Sequence, residues 1–356
     1  MSRGRSFDDL YVLRLIATVA VIAIHTTSQD MTLSLLGYYG NQLARFSVPM
    51  FLILSGFLLF QSDLHDGFLP RVEFYRKRFR RILLPYIIWT IFYSLVLHYY
   101  FNGLQNSHLI LPDMVRHLFL GNGFTHLYFV VIIIQLYLLY PFIRRGFEAH
   151  PGWFLLISLL LSLACQLVLY LNALKTIHLS GAYTQIYLIA FPVWIFYFLL
   201  GMYLALNDQN LELSGRFSWF SWTVGWVLSF ALLLWDSYKT ASFALSIKPT
   251  VIVYATVSFF FMRAVLHRFP LKVGGFINWF SDQSFLIYLL HPLIANFLVF
   301  VSLRVMDQPR LWSTSPGTSA KFLITLGLTL CATYVISLTP LAGALGGVKK
   351  KRTDHS

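Results

Sequence analysis

The sequence predicts an all-α, polytopic integral membrane protein with about ten transmembrane helices and both termini in the cytoplasm. Of its 356 residues, 57% are hydrophobic and only 12% are charged, and the mean hydropathy is +0.67. A soluble domain of this length needs far more polar surface, so lipid must be the solvent for most of the chain. The net charge of +13 does not indicate nucleic-acid binding, because the basic residues lie at the ends of apolar runs.

Each predicted span is an apolar run close to the roughly 20 residues that cross a hydrocarbon core. The second and fourth runs are short, and we expect them to extend into flanking residues or to tilt less. Together the spans form one membrane-embedded domain over residues 1–356. They lie near residues 10–28, 45–60, 82–101, 127–143, 153–171, 186–206, 217–235, 249–266, 280–303 and 321–341.

Lysine and arginine orient the spans, because cytoplasmic loops carry an excess of both. With a cytoplasmic N-terminus and ten spans, 18 of the 27 basic residues fall in cytoplasmic segments and 8 fall outside. A nine- or eleven-span arrangement would move either the basic cluster at residues 71–81 or the tail at residues 349–352 to the outer side. The first run has no small-residue cleavage site behind it, so we expect it to stay as a helix.

No metal site is expected. Cys165 and Cys331 both lie inside apolar runs, which argues against a disulfide or a zinc site. The sequence also contains no His/Cys cluster, no Gly-rich phosphate loop and no Ser nucleophile elbow.

Two ionisable residues inside the first span are candidates for function, because such groups are costly in a membrane and usually face the protein interior. Arg14 and His25 project from one helix face, about 16 Å apart along its axis. Arg14, near the cytoplasmic end, suits the phosphates of a nucleotide-type cofactor. His25, towards the outer end, can remove a proton from an acceptor hydroxyl. The alternative is that Arg14 snorkels to the inner headgroups and His25 hydrogen-bonds a neighbour at the outer interface.

Five motifs, in order along the chain, resemble those of the acyltransferase 3 family of bacterial membrane proteins. They are Arg14-x10-His25, the second-span segment at residues 48–57, the basic entrance to the third span with its Arg-x-x-Arg pair at Arg78 and Arg81, His126-Leu127-Tyr128-Phe129, and Tyr288-Leu289-Leu290-His291-Pro292. Residues 196–201 and 285–292 look closest to the intercellular-adhesion exopolysaccharide branch, which is proposed to modify or export a poly-N-acetylglucosamine type polymer. Members that O-acetylate surface glycans are also similar. One departure is Tyr11, where many members carry an Asp three residues before the Arg.

The resemblance implies a multi-pass acyltransferase of the bacterial plasma membrane. It would move an acyl group, most simply acetyl, from cytoplasmic acyl-CoA to a hydroxyl of an extracytoplasmic or lipid-linked glycan. Acyl-CoA is then a co-substrate, and no permanently bound cofactor is expected. Membrane lipid and a polysaccharide-synthesis complex are the further partners it suggests. The resemblance implies His25 as the catalytic base, Arg14, Arg78 and Arg81 as ligands of the CoA phosphates, and His126, Tyr128, Tyr288 and His291 as candidates for acceptor binding.

Structural roles remain open for several of these residues. The basic run at residues 76–81 also fits a positive-inside anchor at anionic headgroups. For His126 and Tyr128 we favour an interfacial histidine and an aromatic-belt tyrosine over acceptor binding. For His291 we favour a satisfied core histidine beside a kink at Pro292.

Two other functions remain open for the whole chain. One is an exporter or flippase for a polysaccharide or an acylated donor, with Arg14 and His25 lining the pathway. The other is a non-catalytic scaffold of a polysaccharide-synthesis complex.

Overall fold

The computed structural model of the chain describes residues 2–98, 110–207 and 219–349, and every regular element in these ranges is helical. The all-α prediction is therefore confirmed. A 3-10 turn at Ala44–Phe46 joins the second and third helices, and a π turn at Phe79–Leu83 joins the fourth and fifth. The helices are α1 (Ser2–Thr27), α2 (Leu35–Leu43), α3 (Ser47–Asp66), α4 (Arg71–Arg78), α5 (Leu84–Leu97), α6 (Ile110–Leu120), α7 (Tyr128–Ala149), α8 (Pro151–Ala173), α9 (Gly181–Ile189), α10 (Phe191–Leu206), α11 (Trp219–Thr240), α12 (Pro249–Arg268), α13 (Gly275–Arg304) and α14 (Ser315–Ser337).

Nine segments in the described part of the chain are long and apolar enough to cross a membrane, and they match nine of the ten predicted runs. The two short runs extend as expected, to Leu35–Asp66 and Tyr128–Ala149. The sixth run is broken between α9 and α10, where Pro192 occupies the first turn of the new helix. Residues 99–101 of the third run and 217–218 of the seventh lie outside the described residues.

The seventh run forms α11, a 22-residue helix rich in tryptophan and serine that is not among these nine segments. Contacts between other helices agree with the predicted tenth crossing at α11. The ring of His25, late in α1, lies 5.2 Å from the ring of His291 in α13. Arg14, early in α1, is within electrostatic reach of Asp282, near the start of α13. The two helices therefore run parallel, whereas leaving out α11 would make them antiparallel.

The orientation of α14 also supports ten membrane crossings. Lys321, early in α14, forms a 2.6 Å ion pair with Asp30, just beyond the end of α1, so the two helices are antiparallel. This orientation agrees with the even number of crossings that the sequence predicts. The cytoplasmic location of both termini remains the prediction made from the lysines and arginines.

Small residues set the closest helix contact, between α3 and α10. A Cβ added to Gly56 would overlap the carbonyl oxygen of Phe198, and one added to Gly201 would overlap that of Ile53. The two backbones are therefore in direct contact, an approach that small residues allow. Because α10 is buried on nearly every side, this contact lies in the middle of the bundle.

Candidate active site

Three histidines from distant parts of the sequence meet inside the bundle. His25 comes from α1, His126 from the turn before α7, and His291 from α13. Their ring centroids lie 5.2 Å apart for His25 and His291, 5.8 Å for His126 and His291, and 6.2 Å for His25 and His126. We call these residues the histidine cluster. The first-span motif and the two motifs assigned to the acceptor are thus brought to one place.

The three histidines differ in accessibility. His126 is 1% exposed and His291 is 0% exposed, whereas His25 is only partly buried. His25 is therefore the member of the cluster that a bound molecule can reach most directly.

The interfacial position expected for His126 is wrong. The turn before α7 folds inward, and the hydroxyl of Tyr288 donates a hydrogen bond to the backbone carbonyl of His126. The His126 ring also lies 5.4 Å from the ring of Tyr93 on α5. Tyr128 likewise lies inside the bundle, 6.3 Å from the ring of Trp194 on α10, rather than in an aromatic belt.

Helix geometry orients the ring of His291. Its Nδ1 lies 3.1 Å from the carbonyl oxygen of Ile287, one turn earlier in α13, and a carbonyl can only accept. Nδ1 therefore carries the hydrogen of this bond, which leaves Nε2 as an acceptor. Nε2 is buried without a hydrogen-bond partner, as are both ring nitrogens of His126. Leaving a buried polar atom unpaired costs about 1–3 kcal/mol, so a satisfied core histidine is not a full description of either residue.

The three arginines predicted to hold CoA phosphates are linked through Tyr137 and Arg14. Arg78 packs its guanidinium over Tyr137, 5.1 Å from the ring centroid. Arg14 is within electrostatic reach of both Tyr137 and Arg81. We call Arg14, Arg78 and Arg81 the arginine cluster. Two like charges held close together favour an anion between them.

A π turn changes the predicted relation between two of these arginines. In a regular helix the three-residue spacing would put Arg78 and Arg81 on one face, but the π turn at Phe79–Leu83 begins between them. The wider turn leaves Arg78 partly buried against α7 and Arg81 exposed. Such a turn is rare and is frequently found at functional sites.

A separate ionic network lies on the same side of the bundle. Asp63 on α3 accepts a 2.5 Å hydrogen bond from Tyr140 and pairs with Arg144 at 3.4 Å. Arg144 also pairs with Glu148 at 2.9 Å. The charge of Arg144 is therefore compensated within the protein. No carboxylate ion pair of this kind holds Arg14 or Arg81 in the part of the chain that the structure describes.

Sequence reasoning missed Arg45, which it counted only as an outer-side cation. The side chain is 3% exposed and lies in the turn between α2 and α3. It exerts an electrostatic effect on both His25 and Tyr128. Its place at the edge of an apolar run was the available signal, and that position is equally typical of an interfacial anchor.

Among residues 2–98, 110–207 and 219–349, no group of three or more His, Cys, Asp or Glu side chains is arranged to hold a metal ion. The chemistry of the histidine cluster is therefore considered from its ring nitrogens and the exposure of each ring.

Known proteins resemble this chain over most of its length. It matches the acyltransferase domain of the acyltransferase 3 family over residues 7–338. It is 26% identical over 319 residues to the "Putative membrane-bound acyltransferase YfiQ" of Bacillus subtilis (strain 168), covering 85% of this chain and 84% of the relative. It is 27% identical over 315 residues to the "Probable poly-beta-1,6-N-acetyl-D-glucosamine export protein" of Staphylococcus aureus (strain MRSA252), covering 82% and 83%. No solved structure matches it. The family predicted from the five motifs is confirmed.

Proposed function

We propose that this chain, which belongs to the acyltransferase 3 family and is a multi-pass acyltransferase of the bacterial membrane, acylates a glycan. The donor is cytoplasmic acyl-CoA, most simply acetyl-CoA, and the acceptor is a hydroxyl of an extracytoplasmic or lipid-linked glycan. One observation carries the proposal: α1 contributes Arg14 to the arginine cluster near one end and His25, the accessible member of the histidine cluster, near the other.

The arginine cluster is the proposed donor site. Arg14 and Arg81 repel each other electrostatically, so a phosphate placed between them would be attracted to both guanidinium groups. Arg78 is held by cation–π contacts with Phe74 and Tyr137, and its Nε is buried without a partner. The predicted topology puts this cluster on the cytoplasmic side, where acyl-CoA is available. The pantetheine arm would then extend into the bundle along α1, over the roughly 16 Å that separate Arg14 from His25.

The histidine cluster is the proposed reaction site. His25 takes the proton of the acceptor hydroxyl as the acceptor oxygen bonds to the thioester carbon. The carbon–sulfur bond then breaks, and the departing thiolate receives the proton. His291 and His126 offer unpaired ring nitrogens to the acceptor or to the departing proton. A thioester buried among helices is shielded from water, which limits wasteful hydrolysis.

Relatives support the choice of acceptor and also a second function. One relative is named for membrane-bound acyl transfer, and others for export of poly-beta-1,6-N-acetyl-D-glucosamine. We therefore propose a glycan with free hydroxyls as the acceptor. Export of such a polymer is the second candidate, in which the two clusters would line a pathway rather than a reaction path.

The test is transfer of labelled acetyl from acetyl-CoA to glycan in inside-out vesicles. The vesicles come from a host that makes the candidate surface glycan, and His25→Ala is compared with the wild type. Removing a general base lowers a rate by about 10²–10⁴-fold, and we expect a loss in that range. His65→Ala is the matched control, because His65 is 67% exposed and pairs only with Asp66.

Three results decide between acyl transfer with His25 as the base, acyl transfer without it, and export of the glycan. Loss in His25→Ala with normal transfer in His65→Ala supports the proposal. Wild-type rates in His25→Ala would refute the catalytic role of this histidine. A wild type that transfers neither acetyl nor succinyl label, yet still supports export of the glycan, would favour the export function.

A further inference from the structure

Arg45 is a buried cation close to the histidine cluster, and its partners in the described part of the chain are all neutral. Its Nη1 donates to the carbonyl of Ala244 and to the hydroxyl of Ser246, both at 2.8 Å. Its Nη2 donates to the side chain of Asn41 and, at 2.7 Å, to the carbonyl of Phe243. A buried charge costs several kcal/mol unless it is compensated. Dipoles alone supply that compensation here.

One donor of this guanidinium is unused. Arginine has five N–H groups, and the two terminal nitrogens account for four of them. The fifth, on Nε, is buried without a partner. The four bonds hold the guanidinium in one orientation, so the free N–H is fixed before any ligand arrives.

A hydrogen-bond network links the Arg45 guanidinium to the end of α1 that carries His25. Asn41, which accepts from Arg45, donates to the carbonyl of Ile24 at 3.1 Å and to the hydroxyl of Thr27 at 3.0 Å. These two residues flank His25 on the last turn of α1. The charge of Arg45 also acts on His25 and on the Tyr128 hydroxyl.

We infer that Arg45 is a further catalytic residue, whose Nε–H stabilises the oxyanion that forms on the thioester carbonyl during transfer at His25. The inference rests on the proposed function. As the acceptor oxygen bonds to the carbonyl carbon, the carbonyl π electrons move onto its oxygen, and His25 holds the acceptor proton. When the carbon–sulfur bond breaks, the carbonyl re-forms and the thiolate takes that proton. The negative charge on oxygen exists only between these two events.

A fixed donor in a water-poor site is suited to this task. It needs no reorganisation as the charge develops, and it contributes more to the tetrahedral state than to the neutral thioester. Its removal should therefore lower the maximal rate much more than it changes the KM for the donor. If Arg45 only anchored the loop between α11 and α12, its removal would not lower the maximal rate more than it changes the KM for the donor.

The loop offers a matched control. Gln42 donates to the same Phe243 carbonyl at 2.8 Å and accepts from Ser237 at 3.0 Å. Gln42→Ala therefore loosens this loop while leaving the guanidinium in place. Arg45→Gln removes the charge, and Arg45→Lys keeps a charge without the Nε–H.

The experiment measures labelled acetyl transfer in inside-out vesicles, with rates divided by the amount of folded protein found by size-exclusion chromatography in detergent. Loss of one oxyanion donor costs about 10²–10³-fold. We expect that loss in the maximal rate of Arg45→Gln, a smaller loss in Arg45→Lys, a donor KM within a few-fold of wild type, and near-normal transfer by Gln42→Ala.

Other outcomes overturn the inference. A maximal rate within threefold of wild type in Arg45→Gln would do so, as would an equal loss in Gln42→Ala. If Arg45→Gln does not fold, a wild-type rate in Arg45→Lys would overturn it. Failure of the proposed function looks different, because the wild type itself would then transfer nothing.

Discussion

Replacing Arg14 by Gln should impair transfer from acetyl-CoA but not from S-acetylpantetheine, which lacks the nucleotide phosphates. Arg14 has Arg81 as a repelling neighbour and has no ion pair with a carboxylate in the described residues. Its charge is therefore available to a phosphate. A hydrogen bond to a charged group contributes about 1.5–3 kcal/mol, which corresponds to a loss of about 10- to 150-fold in kcat/KM.

The assay is a two-by-two comparison of wild type and Arg14→Gln with the two donors, in inside-out vesicles. The ratio of the two losses isolates the interaction between Arg14 and the missing phosphates. Arg145→Gln is the control, because Arg145 is an exposed cation that the predicted topology puts on the same face. We expect it to change neither donor's kcat/KM by more than about twofold, since exposed charges contribute little.

An equal loss with both donors would refute this reasoning. Arg14 would then act on the helix or on the lipid headgroups rather than on a phosphate, as the snorkelling alternative holds. No loss with either donor would place the nucleotide away from α1.

Two further predictions concern the fold. Lys321→Met should lower the stability in detergent by about 3–5 kcal/mol, because it leaves Asp30 as an unpaired buried charge. Adding Asp30→Leu should restore most of that stability, because both side chains are buried, at 3% and 6% exposed. Similar melting temperatures for the single and double variants would contradict this prediction. Gly201→Ala should destabilise the bundle, because its Cβ would overlap the backbone of α3. Gly327→Ala, which meets nothing within 4 Å, should be neutral or slightly stabilising; equal melting temperatures for the two glycine variants would rule out the close contact.

The membrane spans could be predicted because lipid imposes both a length and an apolar composition. Predicted ends fall within two residues of the observed ones at Pro151–Ala173 and Pro249–Arg268, each of which begins at a proline. The sixth run shows what composition cannot reveal. It is uniformly apolar, yet Pro192 divides it into α9 and α10.

The candidate site could be predicted only in part. The periodicity of one helix suffices to pair Arg14 with His25, because both lie on a single element. The meeting of His25 with His126 depends on a turn that folds inward, and single-sequence reasoning favours an interface for a histidine at the end of a span. Arg45 was missed for the same reason, since a cation beside an apolar run is usually solvated.

The parallel packing of α1 and α13 relates the two clusters to each other. Many members of the family carry an Asp one turn before this arginine, whereas this chain has Tyr11. The packing brings Asp282 of α13 within electrostatic reach of Arg14, a weaker influence than that of Arg81. Because the same packing brings His291 to His25, one helix pair contributes to both the proposed donor end and the proposed reaction end. A shift of α13 along α1 would disturb the two ends together. The two clusters are therefore coupled through a rigid element, although they lie about three helical turns apart.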